Sequence, residues 1–318
     1  MIKIVLGIVI SFVLGIIAGP ILIPFLRKLK FGQEILEIGP NWHKNKKGTP
    51  TMGGMLFIFS ILITMAIVMA DLRGYIVLAF SFLCGVIGFT DDFIKVYLKR
   101  NQGFNVIEKT ICLVVAIVLF VIGMKFLNLT DTNIFIPFLK ININFGIWYY
   151  PLMFVGIFYM VNSVNLTDGI DGLAGSVTAI VLLFLTVLAY ITGFKGLSYL
   201  SAAGLGGVIA FLVFNLHPAR MFMGDTGSLF LGGLVTGICV AMGNPLIILI
   251  AGIIYVIESL SVVIQVTSFK LTGKRVFKMS PIHHHFEMSG FSENKIVIMF
   301  SVITVLMCVL SFIGTVKL

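Results

Sequence analysis

Apolar runs of helix-spanning length, separated by short polar connections, follow one another along the whole chain. A membrane helix needs about 20 mostly apolar residues, because each residue rises about 1.5 Å and the hydrocarbon core is about 30 Å thick. By that measure the pattern predicts ten spans, at 4–26, 52–70, 75–91, 107–127, 150–164, 173–192, 197–214, 227–242, 245–267 and 294–314. The apolar part of the first, Ile4 to Leu26, is too long for a signal peptide and many spans follow, so it is kept as a span. One connection differs in kind. Between the fourth and fifth spans, "NLTDTNIFIPFLKININFGIWYYP" carries β-branched and alternating residues around Lys140, which predicts a short β-hairpin outside the membrane near 130–148.

Composition places the same reading beyond the range of soluble domains, with 59% hydrophobic residues, 11% charged residues and a mean hydropathy of +1.12. No Pro/Ser-rich linker, charge block or internal repeat divides the 318 residues, so the expectation is a single all-α integral membrane domain over 1–318. Cys84, Cys112, Cys239 and Cys308 all fall inside apolar runs at no metal-like spacing and read as buried small hydrophobes, with no disulfide.

Charge then gives orientation. Apart from Lys3, Arg73, Lys125, Lys140, Lys195 and Lys317, the 22 basic residues gather in or beside the connections after spans one, three, seven and nine. Basic residues are retained on the cytoplasmic side, which predicts both termini outside. The net charge of +9 reflects that bias rather than a nucleic-acid surface. Of the 13 acidic residues, only Asp71 and Asp131 fall on the outer side, while Glu258 lies within span nine. All five histidines, His43, His217, His283, His284 and His285, fall on the inner side. Solvated loops are polar on any membrane protein, and that suffices for Glu34 or Glu37. It suffices less for acids pinned to span ends.

Three clusters are of that kind. In "GFTDDFIK", an apolar run ends on Asp91 and Asp92, and helical geometry puts Asp91 and Lys95 on one face with Asp92 turned about 100° away. In "VNSVNLTDGIDGLAG", Asn165, Asp168 and Asp171 collect, the two carboxylates sharing a face if the segment is helical. In "FNLHPARMFMGDTGSLFLGG", Asp225 precedes Thr226, Gly227 and Ser228 and has a plain alternative role as N-cap of span eight. Carboxylates with Asn and backbone donors suit a hard cation such as Mg2+, and no Cys takes part that would favour zinc. Around them stand Lys44, Lys46, Lys47, Lys95, Lys109, Arg220 and the run His283, His284, His285, cationic company suited to a pyrophosphate. The His run is internal and short, which argues against an affinity tag; a solvated loop or a zinc site are its other readings. Together the clusters predict metal-assisted phosphoryl transfer at one membrane face.

Five blocks, "GTPTMGG" (48–54), "GFTDDFIK" (88–95), "NLTDGIDGLAG" (165–175), "FMGDTGSL" (222–229) and "PIHHHFE" (281–287), resemble in order those of the polyprenyl-phosphate N-acetylhexosamine-1-phosphate transferases, and "PTMGG" and "HHHFE" resemble the muramoyl-pentapeptide branch. The resemblance runs over essentially the whole chain. It implies transfer of phospho-N-acetylmuramoyl-pentapeptide from UDP-N-acetylmuramoyl-pentapeptide to undecaprenyl phosphate, giving lipid I and UMP, with Mg2+, in a bacterial inner membrane among its lipids, by a homodimer. It further implies that Asp225 is the Mg2+ ligand and that Asp91, with Asp92 beside it, partners the acceptor phosphate. Asn165, Asp168, Asp171 and Asn215 would face the nucleoside and Phe222 would stack on uracil. Lys44, Lys95, Lys109, His284 and His285 would hold phosphates or the sugar-peptide part, with Lys46 and Lys47 rivals of Lys44. A sister transferase using another UDP-amino sugar is the nearest alternative. A carrier for an anionic metabolite is a more distant one, suggested by the intramembrane acid Glu258.

Overall fold

The computed structural model of the chain describes residues 1–28, 48–68, 71–98 and 103–316. In chain order the helices are α1 (Ile2–Lys28), α2 (Gly54–Val68), α3 (Leu72–Tyr97), α4 (Val106–Phe126), α5 (Tyr149–Thr167), α6 (Leu173–Ile191), α7 (Lys195–Asn215), α8 (Gly224–Ala241), α9 (Ile247–Ala251), α10 (Ile253–Thr272), α11 (Ile282–Glu287) and α12 (Glu293–Thr315). Among the described residues, nine are long and apolar enough to cross a membrane, and α2, with 15 residues, is a shorter apolar helix.

Local signals start several of these helices. The Asn105 side chain accepts from the Glu108 N–H while Glu108 reaches back to the Asn105 N–H, a reciprocal box that opens α4. Asp71 caps α3 and Ser292 caps α12. Two of the departures from the sequence expectation change the picture. The span expected over 245–267 is divided at Gly252 into α9 and α10, and a β-carbon at Gly252 would press on the carbonyl of Ile248. The span expected to stop at Asp91 continues to Tyr97. At 26 residues, α3 is about 39 Å long against a hydrocarbon core of about 30 Å, so the helix outruns the apolar layer rather than ending with it.

The expected hairpin is present as β1 (Asn133–Ile136) paired antiparallel with β2 (Ile141–Asn144), in the register Asn133 to Asn144 and Ile136 to Ile141. It docks on two helix ends: the Phe138 N–H donates to the Gly314 carbonyl at 2.8 Å and Lys140 Nζ to the Val316 carbonyl at 2.8 Å, both at the end of α12, and the Phe135 N–H donates to the Gly243 carbonyl just past α8 at 3.3 Å.

At the centre of the bundle stands α8, buried at every position from Thr226 to Ala241. Its sequence carries Gly227, Gly232, Gly233 and Gly237, small residues that let neighbouring helices approach. The closest approach is at its first turn, where Gly88 of α3 lies so near the Asp225 carbonyl that any β-carbon would collide with it. Residues from the connections α3–α4, α5–α6 and α7–α8 and from the start of α12 meet at this end of the bundle, as the contacts below detail.

Gly88→Ala is expected to lower stability by about 1–3 kcal/mol through overpacking at the α3–α8 contact. Gly123→Ala, which meets open space on α4, should leave stability unchanged or slightly raised. Thermal unfolding of both variants in one detergent checks this; equal melting temperatures would contradict it.

Candidate active site

Four helix ends supply the centre: the last turns of α3, the start of α4, the end of α5 and the start of α8. Asp91 and Asp92 are each only 3% exposed, so bulk water does not solvate them. Lys95 ion-pairs with Asp91 and stands 2.8 Å from Asp225 Oδ2 and 3.7 Å from Asp92 Oδ1. Lys109, one turn into α4, reaches the same Asp225 oxygen at 3.1 Å. The other Asp225 oxygen accepts from Asn165 Nδ2 at 2.8 Å, and Asn165 also donates to Ser228 Oγ at 2.7 Å.

The neighbouring acids of α3 are held differently. Asp91 Oδ1 accepts from the Phe104 N–H at 2.8 Å, tying the helix to the segment that enters α4. Asp92 Oδ2 accepts from both the N–H (2.9 Å) and the hydroxyl (2.7 Å) of Thr226, at the start of α8. Helix-face geometry therefore separates the two as expected, but Lys95 lies between them and Asp225 rather than with Asp91 alone. Asp225 is also not the cap of α8. That helix begins at Gly224, so the Asp225 carboxylate sits in the first turn, where the unsatisfied N–H groups favour an anion, and faces two ammonium groups.

The shared face expected for Asp168 and Asp171 is not formed, because α5 ends at Thr167 and α6 starts only at Leu173. Asp168 accepts from the Gly224 N–H, beside Asp225. Burial pushes its carboxyl up to about 8, with the charges of Asp225, Asp92 and Asp171 adding to the rise. Asp171 turns instead to His217 Nδ1 (3.0 Å) and the Ala219 N–H (3.0 Å), while its own N–H donates to Glu293 of α12 at 2.9 Å. Asn215 is buried and bridges two loops, accepting from the Gly172 N–H (3.0 Å) and donating to the Met221 carbonyl (2.9 Å). The Phe222 N–H donates to the Pro50 carbonyl at 2.8 Å, which puts the "GTPTMGG" block beside "FMGDTGSL".

His284 Nδ1 lies 2.6 Å from Glu287, and His285 Nδ1 accepts from the Lys278 N–H at 3.2 Å. Lys44, Lys46 and Lys47 lie outside the described residues. Thr226 and Ser228, which read as mere helix-start residues, prove to be direct partners of Asp92 and Asn165. The spacing of "GDTGS" hints at a cap; which acid the hydroxyls meet depends on where α3 packs.

Among the described residues, carboxylate oxygens of Asp91, Asp92 and Asp225 lie within 4.8 Å of one another. This all-oxygen donor set, with an amide and ammonium groups beside it, fits a hard divalent cation and does not fit a soft one.

A family model described as glycosyl transferase family 4 matches residues 75–243, which run from α3 to just past α8 and contain the whole carboxylate centre. Over 98% of its length, the chain is 50% identical to the phospho-N-acetylmuramoyl-pentapeptide-transferase of Clostridium perfringens (strain 13 / Type A), covering 98% of that protein. It is 47% identical to the protein of that name from Thermoanaerobacter sp. (strain X514), with 98% of each chain covered. For the one from Halalkalibacterium halodurans the identity is 45%, over 96% of this chain and 95% of the relative. The chain belongs to the phospho-N-acetylmuramoyl-pentapeptide-transferase family. It is a multi-pass membrane enzyme.

One expected outcome follows from Asp168. Its carboxyl keeps a proton to about 8 when folded against 3.8 ordinarily, so the folded state binds the extra proton between those values. Stability is thus lost as pH rises through that window and levels off above it. With chelator present, the melting temperature of the wild type relative to Asp168→Asn should fall as pH rises from about 5 to about 9. Parallel curves for the two proteins would contradict this.

Proposed function

We propose that this enzyme transfers phospho-N-acetylmuramoyl-pentapeptide from its UDP carrier to undecaprenyl phosphate, forming lipid I and UMP, with Mg2+, on the cytoplasmic face of a bacterial cell membrane. The observation that carries the reading is the sharing of Asp225 by Lys95 and Lys109, with Asp91 and Asp92 against them, in a chain of the phospho-N-acetylmuramoyl-pentapeptide-transferase family. The 15-residue α2 counts in it as a tenth span. Both termini lie outside, following the basic residues, and residues 1–318 act as one domain.

One substrate is a soluble nucleotide and the other a lipid whose phosphate sits at headgroup depth. A site reached by both has to stand where α3 outruns the apolar layer. An oxygen of the lipid phosphate bonds to the sugar-linked phosphorus of the UDP-sugar; the bond from that phosphorus to the bridging oxygen breaks, and UMP departs with that oxygen. Little covalent chemistry is asked of the protein. Alignment and neutralisation of the phosphates supply most of the acceleration.

Lys95 and Lys109 compensate phosphate charge. Asp225 would hold Mg2+, with Asp91 and Asp92 beside it, and the ion when bound supplies further positive charge to the pyrophosphate. Asp91 faces the acceptor and takes the proton from the fraction of lipid phosphate that is singly protonated, a group whose second pKa is about 6. Asp92 orients the start of α8 through Thr226. Asn165, Asp168, Asp171 and Asn215 shape the nucleoside side, Phe222 stacks on uracil, and His284 and His285 meet the sugar-peptide part together with a lysine of 44–47.

Asp225→Asn should leave folding intact and lower Mg2+-dependent UMP release roughly a thousandfold, the several kcal/mol expected for losing a metal contact. Wild-type turnover in the purified variant would remove Asp225 from this role. Asp91→Asn should slow the acceptor step and be partly restored by raising the pH, because more of the lipid phosphate is then ionised without a base. A pH–rate profile at saturating nucleotide and varied undecaprenyl phosphate tests this; a defect with no pH recovery would leave Asp91 an electrostatic organiser only.

A further inference from the structure

Glu258 has no part in the centre described above, yet it is 0% exposed on an apolar helix, α10. An ionisable side chain at such a place is expensive and calls for a named partner. That partner is His283 of α11, itself 1% exposed, whose Nδ1 lies 3.0 Å from Glu258 Oε2. Glu258 Oε1 and His283 Nε2 have no hydrogen-bond partner among the described residues. The Nε2 edge is pressed against Gly169, where any β-carbon would collide with the ring. Gly169 directly follows Asp168, and Asp168 accepts from the N–H of Gly224, the residue before Asp225.

We propose that Glu258 is a positioning residue: by accepting the Nδ1–H of His283 it holds the imidazole against Gly169 and so sets the turn that places Asp168 beside Asp225. A carboxylate that takes one ring N–H fixes both the tautomer and the ring plane, the way outer partners orient histidines at functional centres. Packing alone does not call for an acid here, because a buried ion pair can often be exchanged for apolar residues without loss of stability. The geometry also removes the sequence-level hint of a carrier, since the intramembrane acid is engaged with the loop beside the phosphate centre. The inference rests on the proposed transfer reaction for its rate readout only.

The test uses full-length protein in detergent, with UDP-N-acetylmuramoyl-pentapeptide and undecaprenyl phosphate as substrates and UMP release as signal. Glu258→Leu should lower kcat by about 10–100-fold with KM for both substrates nearly unchanged. Glu258→Gln, whose carbonyl still accepts the Nδ1–H, should keep most of the rate. In a His283→Asn background, Glu258→Leu should add no further loss, as expected for residues acting through one another. The 15N spectrum of His283 should report a protonated Nδ1 in wild type and Glu258→Gln and mixed tautomers in Glu258→Leu. Wild-type kcat in Glu258→Leu, an undiminished extra loss in the His283→Asn background, or an unchanged 15N spectrum would each overturn the proposal. Absence of UMP release from the wild type would defeat the transfer reading instead, and the 15N comparison would still decide the His283 geometry.

Discussion

Compensation of buried negative charge governs this molecule. Asp91 and Asp92 are almost fully buried and Asp225 stands against them, an arrangement that repels itself unless cations and N–H groups are brought to it. Lys95 comes from the same helix, Lys109 from α4 and Asn165 from α5. Each of these contacts joins a different helix to α8. The charge cluster therefore joins α3, α4, α5 and α8 at the place where the carboxylates gather.

Such an arrangement is possible only where backbones come very close. Gly88 of α3 meets the first turn of α8 without a side chain between them, and this brings Asp92 within reach of both donors of Thr226. The first turn of α8 also offers N–H groups to anions, so Asp168, Asp92 and Asp225 all gather there. Fixed N–H donors and ammonium groups held in this way need little rearrangement to meet negative charge.

A second layer lies behind the first. Asp171 draws in His217, Ala219 and Glu293, and Glu258 draws in His283, so the α5–α6 turn is gripped from α12 and from α10. These residues lie partly outside the span matched by the family model, which ends at residue 243. The carboxylate centre between α3 and α8 is thus braced by helices that follow it in the chain.

By itself the sequence determined the elements whose signals are local. Apolar runs of bilayer length specify helices, the alternation around Lys140 specifies a hairpin, and the bias of Lys and Arg assigns an expected inner face. The five ordered blocks point to the family, and acids, an amide and lysines at or beside span ends single out Asp91, Asp92, Lys95, Lys109, Asn165 and Asp225. Tertiary structure alone decided the rest: that α3 runs on to Tyr97, that Asp168 and Asp171 part company in a turn, that Asp225 faces two lysines instead of capping α8, and that Glu258 pairs with His283. The physical reason is range. Hydropathy and capping act over a few residues, whereas the partner of a buried charge lies wherever packing brings a compensating group, 130 positions away for Lys95 and Asp225.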